Sequence, residues 1–177
     1  MEITVREAQA GDYAAAGEVA VAAYRTIDPE LGAYEARLRD VAGRTTDATV
    51  LVAVVGGRVV GTATFVPGPE SALAEEPGDA GLRMLAVAPD AGGHGIGTAL
   101  VAHALELARQ ARRRRLVLLT RPQMHAAHAV YARLGFARAP GLDEAFDDVT
   151  LLGYARTIER LDSVNIHDTD GQDPGVR

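Results

Sequence analysis

The sequence predicts a single α/β domain, and three patterns carry that reading. Two β-branched runs, residues 49–55 and 58–66, flank Gly56-Gly57, the composition of a tight hairpin. An apolar strand at Leu85, Ala86 and Val87 passes through a glycine-dense turn straight into an amphipathic helical pattern. A second apolar strand, residues 116–120, is again followed by a helical pattern, so strands and helices alternate as α/β units do. With 177 residues and 47% hydrophobic composition, the chain can bury one core and has no room for a second domain. The domain is assigned to residues 1–159, and the polar residues 160–177 are expected to form a disordered tail.

In chain order, Ile3 and Val5 alternate as a first strand, and Asp12 stands as N-cap to an alanine-rich helix starting at Tyr13. A second helix is expected over residues 33–44, after Asp28-Pro29. The hairpin follows, and then residues 67–78, with three prolines and the acids Glu70, Glu75 and Glu76, read as a loop. Pro89, which has no N–H for a ladder, ends the strand at Leu85. Leu100, Val101, Ala104, Leu105 and Ala108 recur at steps of three and four and give the next helix one buried face, closed by Arg112, Arg113, Arg114 and Arg115. A helix then runs to Leu134 with Gly135 as its C-cap, and residues 145–156 return as the last strand.

The turn between Pro89 and Thr98 is the informative element. Gly92, Gly93, Gly95 and Gly97 let the backbone turn tightly and leave N–H groups uncovered, while the following helix aims its positive end at the same place. That arrangement suits a phosphate or pyrophosphate. A P-loop is excluded, because Gly97 is followed by Thr98-Ala99 where Lys-Ser/Thr is required. A dinucleotide fingerprint lacks its third glycine and its acid at the end of the next strand, which leaves a Rossmann-type binder only as an alternative.

Gly95, Ile96 and Gly97 instead resemble motif A of the GNAT family of N-acetyltransferases, Q/R-x-x-G-x-G/A, with Gly92 standing where the pattern has Arg or Gln. Downstream, Tyr131-Ala-Arg-Leu-Gly135-Phe136 is similar to the family's motif B, with Met124 where the family often has Asn. The resemblance spans about residues 2–156. It implies a GNAT-like mixed, twisted and splayed β-sheet flanked by helices, acetyl-coenzyme A as co-substrate and no metal. It implies that Leu85, Ala86 and Val87 pair their main chain with the pantetheine arm and that Gly92, Gly93, His94, Gly95, Ile96, Gly97 and Thr98 hold the pyrophosphate. Tyr131 becomes the general acid that protonates the leaving thiolate. The family's usual Glu falls at Gly81, so Asp79 is the expected base, with the loop acids or a water chain as alternatives.

The expected activity is direct transfer of an acetyl group to an amine, on a small molecule or a peptide, through a ternary complex. The alternative is a non-catalytic acetyl-coenzyme A sensor or partner protein. With no cysteine, thiol nucleophiles, disulfides and thiolate metal sites are excluded. His125 and His128, three apart, share a helix face but lack a third ligand, which leaves one of them as a proton shuttle. The arginines at 112–115 read as a solvated helix end, with the cofactor's 3′-phosphate as the other reading. A net charge of −6 argues against nucleic acid, and no apolar run is long enough for a membrane span or leader, so a cytoplasmic protein is expected. The resemblance leaves a homodimer open.

Overall fold

The computed structural model describes residues 1–68, 78–146 and 149–158. The expected tail, and most of the loop with Glu70, Glu75 and Glu76, lie outside them. Among the described residues the elements are β1 (Thr4–Glu7), α1 (Tyr13–Arg25), α2 (Tyr34–Arg39), α3 (Val41–Arg44), β2 (Thr49–Val55), β3 (Arg58–Val66), β4 (Asp79–Val87), α4 (Ile96–Gln110), β5 (Arg115–Thr120), α5 (His125–Arg133), β6 (Ala137–Arg138), β7 (Glu144–Phe146) and β8 (Val149–Thr157). They build an open sheet in the order β1-β2-β3-β4-β5-β8-β6, with β7 paired to β8. Every neighbouring pair is antiparallel except β4 and β5.

Helices cover both faces. On one face Leu51, Ala53 and Leu82 pack with Ile96, Leu100, Val101 and Tyr131 of α4 and α5. On the other, Val50, Val52 and Ala86 pack with Ala16, Val19, Ala20, Val21, Leu38 and Val41 of α1, α2 and α3. Successive residues of β2 therefore serve opposite cores, which is why its sequence is continuously apolar rather than alternating.

Three expectations are corrected. The helix expected over residues 33–44 is two helices, because Asp40 leaves helical geometry (φ −77°, ψ 67°) and its carboxylate accepts the Gly43 N–H at 2.8 Å, capping α3 afresh. The last strand is two, β7 and β8, which fold back on each other in the register Glu144↔Leu151 and Ala145↔Thr150. Asp12 does not cap α1 through its side chain; the carboxylate instead accepts the Gln9 N–H at 2.8 Å and a two-pronged bond from Arg6. Both partners, Arg6 first, hold its pKa below the ordinary value.

Two features of β4 set the shape of the sheet around it. Its parallel pairing with β5 ends at Leu82↔Leu118, so beyond Leu82 the side of β4 that faced β5 has no strand partner, the splay the sequence predicts. The register with β3 shifts between Thr62 and Thr64, and Met84 opposite that shift has φ 51°. This is a bulge, held in a backbone region that costs a non-glycine residue about 1 kcal/mol or more. As a result Arg83 and Met84 are not on the face of Leu82, Leu85 and Val87, which pack toward α4.

Gly61 on β3 fixes where α4 begins. A Cβ there would lie 2.7 Å from Ile96 Cγ2, 3.0 Å from Leu100 Cδ1 and 3.3 Å from the Ala86 carbonyl. Gly61→Val is therefore expected to lower stability by about 1–3 kcal/mol through overpacking, read as a fall of roughly 2–4 °C in Tm per kcal/mol. An unchanged Tm would show that Ile96 and Leu100 move aside freely.

Candidate functional site

The splay opens into a cleft of about 570 Å³, within the usual range for a small-molecule site. One wall is the unpaired edge of β4, with Leu85, Ala86 and Val87. The floor is the turn and first residues of α4, with Gly92, Gly93, Gly95, Ile96, Gly97 and Thr98. The opposite wall is Met124 and α5, with His125, Ala126, Ala127, Ala129, Val130 and Arg133, and Tyr24 near the end of α1 and Ile27 just after it also line the cleft.

Local conformation explains the floor. Gly93 and Gly95 sit at φ 78° and 81°, a region that penalises any Cβ, and Gly95 is the N-cap of the 15-residue α4. Gly97 lies inside the helix, where a Cβ would already touch Val130 at 3.5 Å and Val87 at 3.7 Å, so larger side chains would fill the cleft. The first N–H groups of α4 have no intrahelical acceptor, and the helix end carries about +0.5 charge. Arg133 adds a full cation there, with its Nη1 donating to Thr98 Oγ1 at 3.2 Å. None of the described lining residues is acidic. The floor is thus built for an anion, and the β4 edge for an extended chain that takes main-chain hydrogen bonds.

Of the site residues expected from sequence, all lie on this cleft except three. His94 is exposed, with its Nδ1 3.3 Å from the Ala91 carbonyl oxygen, and does not line it. Tyr131 is 4% exposed and lies beneath the lining residues Ala127 and Val130, its ring 5.7 Å from Phe136 and 6.1 Å from Tyr154. Burial raises its pKa above the ordinary value. Asp79, the expected base, lies away from the cleft lining. It is fully buried at the start of β4, where Arg115 donates to its two oxygens at 3.1 and 2.6 Å. Leu85 is six steps further along the strand, roughly 20 Å away.

Residues the sequence did not mark include Tyr24 and Arg133. Tyr24 lines the cleft, and its phenol is pushed well above its ordinary pKa, by burial first and then by the neighbouring phenols of Tyr34 and Tyr131. Arg112, Arg113, Arg114 and Arg115 stay off the cleft lining. His125 lines it, while His128 Nε2 sits 3.1 Å from the Arg121 carbonyl oxygen; no cluster of three metal-ligating side chains occurs among the described residues. No described helix is long and apolar enough to cross a membrane.

A model of the Acetyltransferase (GNAT) family matches residues 15–136. No curated protein matches the chain. Among solved structures, the ribosomal-protein-alanine N-acetyltransferase of Brucella melitensis superposes with a TM-score of 0.66 at 24% identity, covering 87% of this chain and 99% of that one. The yncA protein of Salmonella typhimurium, solved with its cofactor acetyl-CoA, gives 0.66 at 21% identity, covering 91% and 96%. A GNAT-family protein of Desulfovibrio desulfuricans gives 0.70 at 20% identity, covering 89% and 100%. At these identities the likeness establishes the fold.

Proposed function

From the premise that the chain belongs to the GNAT family of acetyltransferases, we propose that it transfers an acetyl group from acetyl-coenzyme A directly to an amine. The observation that carries the reading is the continuity of the unpaired β4 edge with the N-terminus of α4 along one cleft. An extended pantetheine arm would take the place of the missing strand beside Leu85, Ala86 and Val87. Its pyrophosphate would meet the N–H groups between Gly93 and Thr98, with Arg133 supplying the cation. Gly92 lacks the side chain of the family pattern; at φ −61° and ψ 156° its extended backbone still leads into the turn.

In the reaction, the amine nitrogen attacks the thioester carbonyl while a main-chain N–H of β4 stabilises the developing oxyanion. The carbon–sulfur bond then breaks, and the Tyr131 phenol supplies the proton to sulfur. With no acidic side chain among the described lining residues, the proton leaving nitrogen passes to water or to His125, which lines the cleft, or the amine arrives neutral. Burial raises the Tyr131 pKa, so the phenol carries its proton at neutral pH and has it to give. The acceptor is an amine of a small molecule or peptide, in line with the alanine N-acetyltransferase among the structural relatives.

Thermal unfolding with acetyl-coenzyme A, coenzyme A, a nicotinamide dinucleotide and ATP in parallel tests the cofactor. Ligand at about 100 times its Kd adds roughly 2.7 kcal/mol, or several degrees of Tm. A shift with the coenzyme A pair alone is expected; a shift with the dinucleotide alone would overturn the reading. The absence of a carboxylate among the described lining residues also suits the non-catalytic sensor. Release of free thiol across an amine panel separates the two, and this cysteine-free protein contributes no background.

A further inference from the structure

A second pocket of about 460 Å³ lies between α2, α3 and the bulged part of β4, and it is lined by Arg37, Arg44, Arg83 and Arg113. Five buried side-chain polar atoms among the described residues have no hydrogen-bond partner, and four of them line this pocket: Arg44 Nε, Arg44 Nη2, Arg113 Nε and Thr64 Oγ1. Buried polar groups are ordinarily hydrogen-bonded, and these four converge on one cavity, where a group bearing acceptor oxygens would match them. Arg44 is fixed in place, because its Nη1 donates to the carbonyls of Arg37 and Leu38 at 2.9 and 3.1 Å, which leaves Nε and Nη2 for another group. Burial holds its pKa below the ordinary value, as it does for Arg83, where the charge of Arg37 adds to the effect. Arg83 has an interaction of its own, so the case rests on Arg44, Arg113 and Thr64.

The described carboxylates do not neutralise the cavity. Asp40 and Asp47 also line it, against four arginines, and an oxygen of Asp40 is committed to the Gly43 N–H. Arginine forks and a hydroxyl are the donor set of a carboxylate or phosphate site. Met84 lines the pocket and Leu85 the cleft, so the two open on opposite faces of the bulged strand at consecutive residues about 3.8 Å apart.

We propose that this pocket binds the oxyanion group of the acyl acceptor, an acidic small-molecule amine, through Arg44, Arg113 and Thr64. The acceptor part rests on the acetyltransferase reading; binding of the oxyanion does not. The first measurement is binding alone, with malonate and inorganic phosphate titrated at matched ionic strength and followed by thermal unfolding. Saturable stabilisation by at least one is expected, its Kd rising about tenfold in Arg113→Gln and in Arg37→Gln, with the coenzyme A shift unchanged. These two variants avoid Arg44, whose loss would free the carbonyls it holds. Preference for malonate identifies a carboxylate, and preference for phosphate a phosphoryl group. Stabilisation no greater than that of chloride, or equal in both variants, overturns the site.

The second measurement compares β-alanine with β-alaninamide as acceptors. A kcat/KM at least about tenfold higher for the acid, lost in Arg113→Gln, supports the acceptor assignment. Equal turnover of the two overturns it. If neither amine nor a wider panel turns over while malonate or phosphate still binds, the enzyme reading fails and the oxyanion site stands.

Discussion

Replacing Tyr131 with Phe is expected to cut turnover of an accepted amine by about 10²- to 10⁴-fold, with the Kd of acetyl-coenzyme A changed by less than about twofold. Phenylalanine fills the same space between Phe136 and Tyr154, so the buried ring packing and the α5 wall persist. Only the O–H is removed. Because burial raises the Tyr131 pKa, the phenol holds its proton through neutral pH and well into the alkaline range. Loss of its proton therefore cannot account for any alkaline fall in kcat below about pH 10, the ordinary value for tyrosine. An unchanged kcat in Tyr131→Phe would remove it as the acid and point to Tyr24, which lines the cleft beside it. Tyr24→Phe measured in parallel decides between the two phenols.

The two tyrosines also mark how far the sequence is legible. Tyr131 stands out because it sits in a contiguous motif on one helix. Tyr24 reaches the same place from the end of α1, more than a hundred residues earlier, and nothing near it in the chain announces that. The hairpin at Gly56-Gly57 and the turn into α4 are legible for a local reason: positive φ at Gly56, Gly57, Gly93 and Gly95 is a demand that glycine meets and other residues resist. Met84 makes the same demand without glycine, so the bulge that turns Arg83 and Met84 toward the second pocket leaves no trace in composition. The break at Asp40 falls at an aspartate, a residue that favours caps and turns, but the apolar pattern on either side suggests continuity. The arginine pocket cannot be read from the chain at all, because positions 37, 44, 83 and 113 are joined only by the fold.

Asp79 shows why position near a motif is weaker evidence than placement in space. Asp79→Asn is expected to lower stability by about 1–3 kcal/mol, since it turns a bidentate ion pair at a fully buried site into a mismatched amide. Arg115→Met, which strands the carboxylate in the interior, is expected to cost more, about 3–5 kcal/mol, or roughly 10 °C in Tm. The Arg115 side chain is 28% exposed, which moves the expectation toward the lower end of that range. In both proteins, assayed below their melting temperatures, kcat and KM should stay within about threefold of wild type, because the pair clamps the start of β4 to β5 while the proposed chemistry lies at the other end of the strand. A base would behave in the opposite way: Asp79→Asn would lose about 10²-fold or more in kcat with little change in Tm, and Arg115→Met would shift the pH profile. Removing either partner leaves the other buried and unpaired, so the two single variants together also separate a clamp from a catalyst. A clamp predicts loss of Tm from either side and no kinetic signature from either.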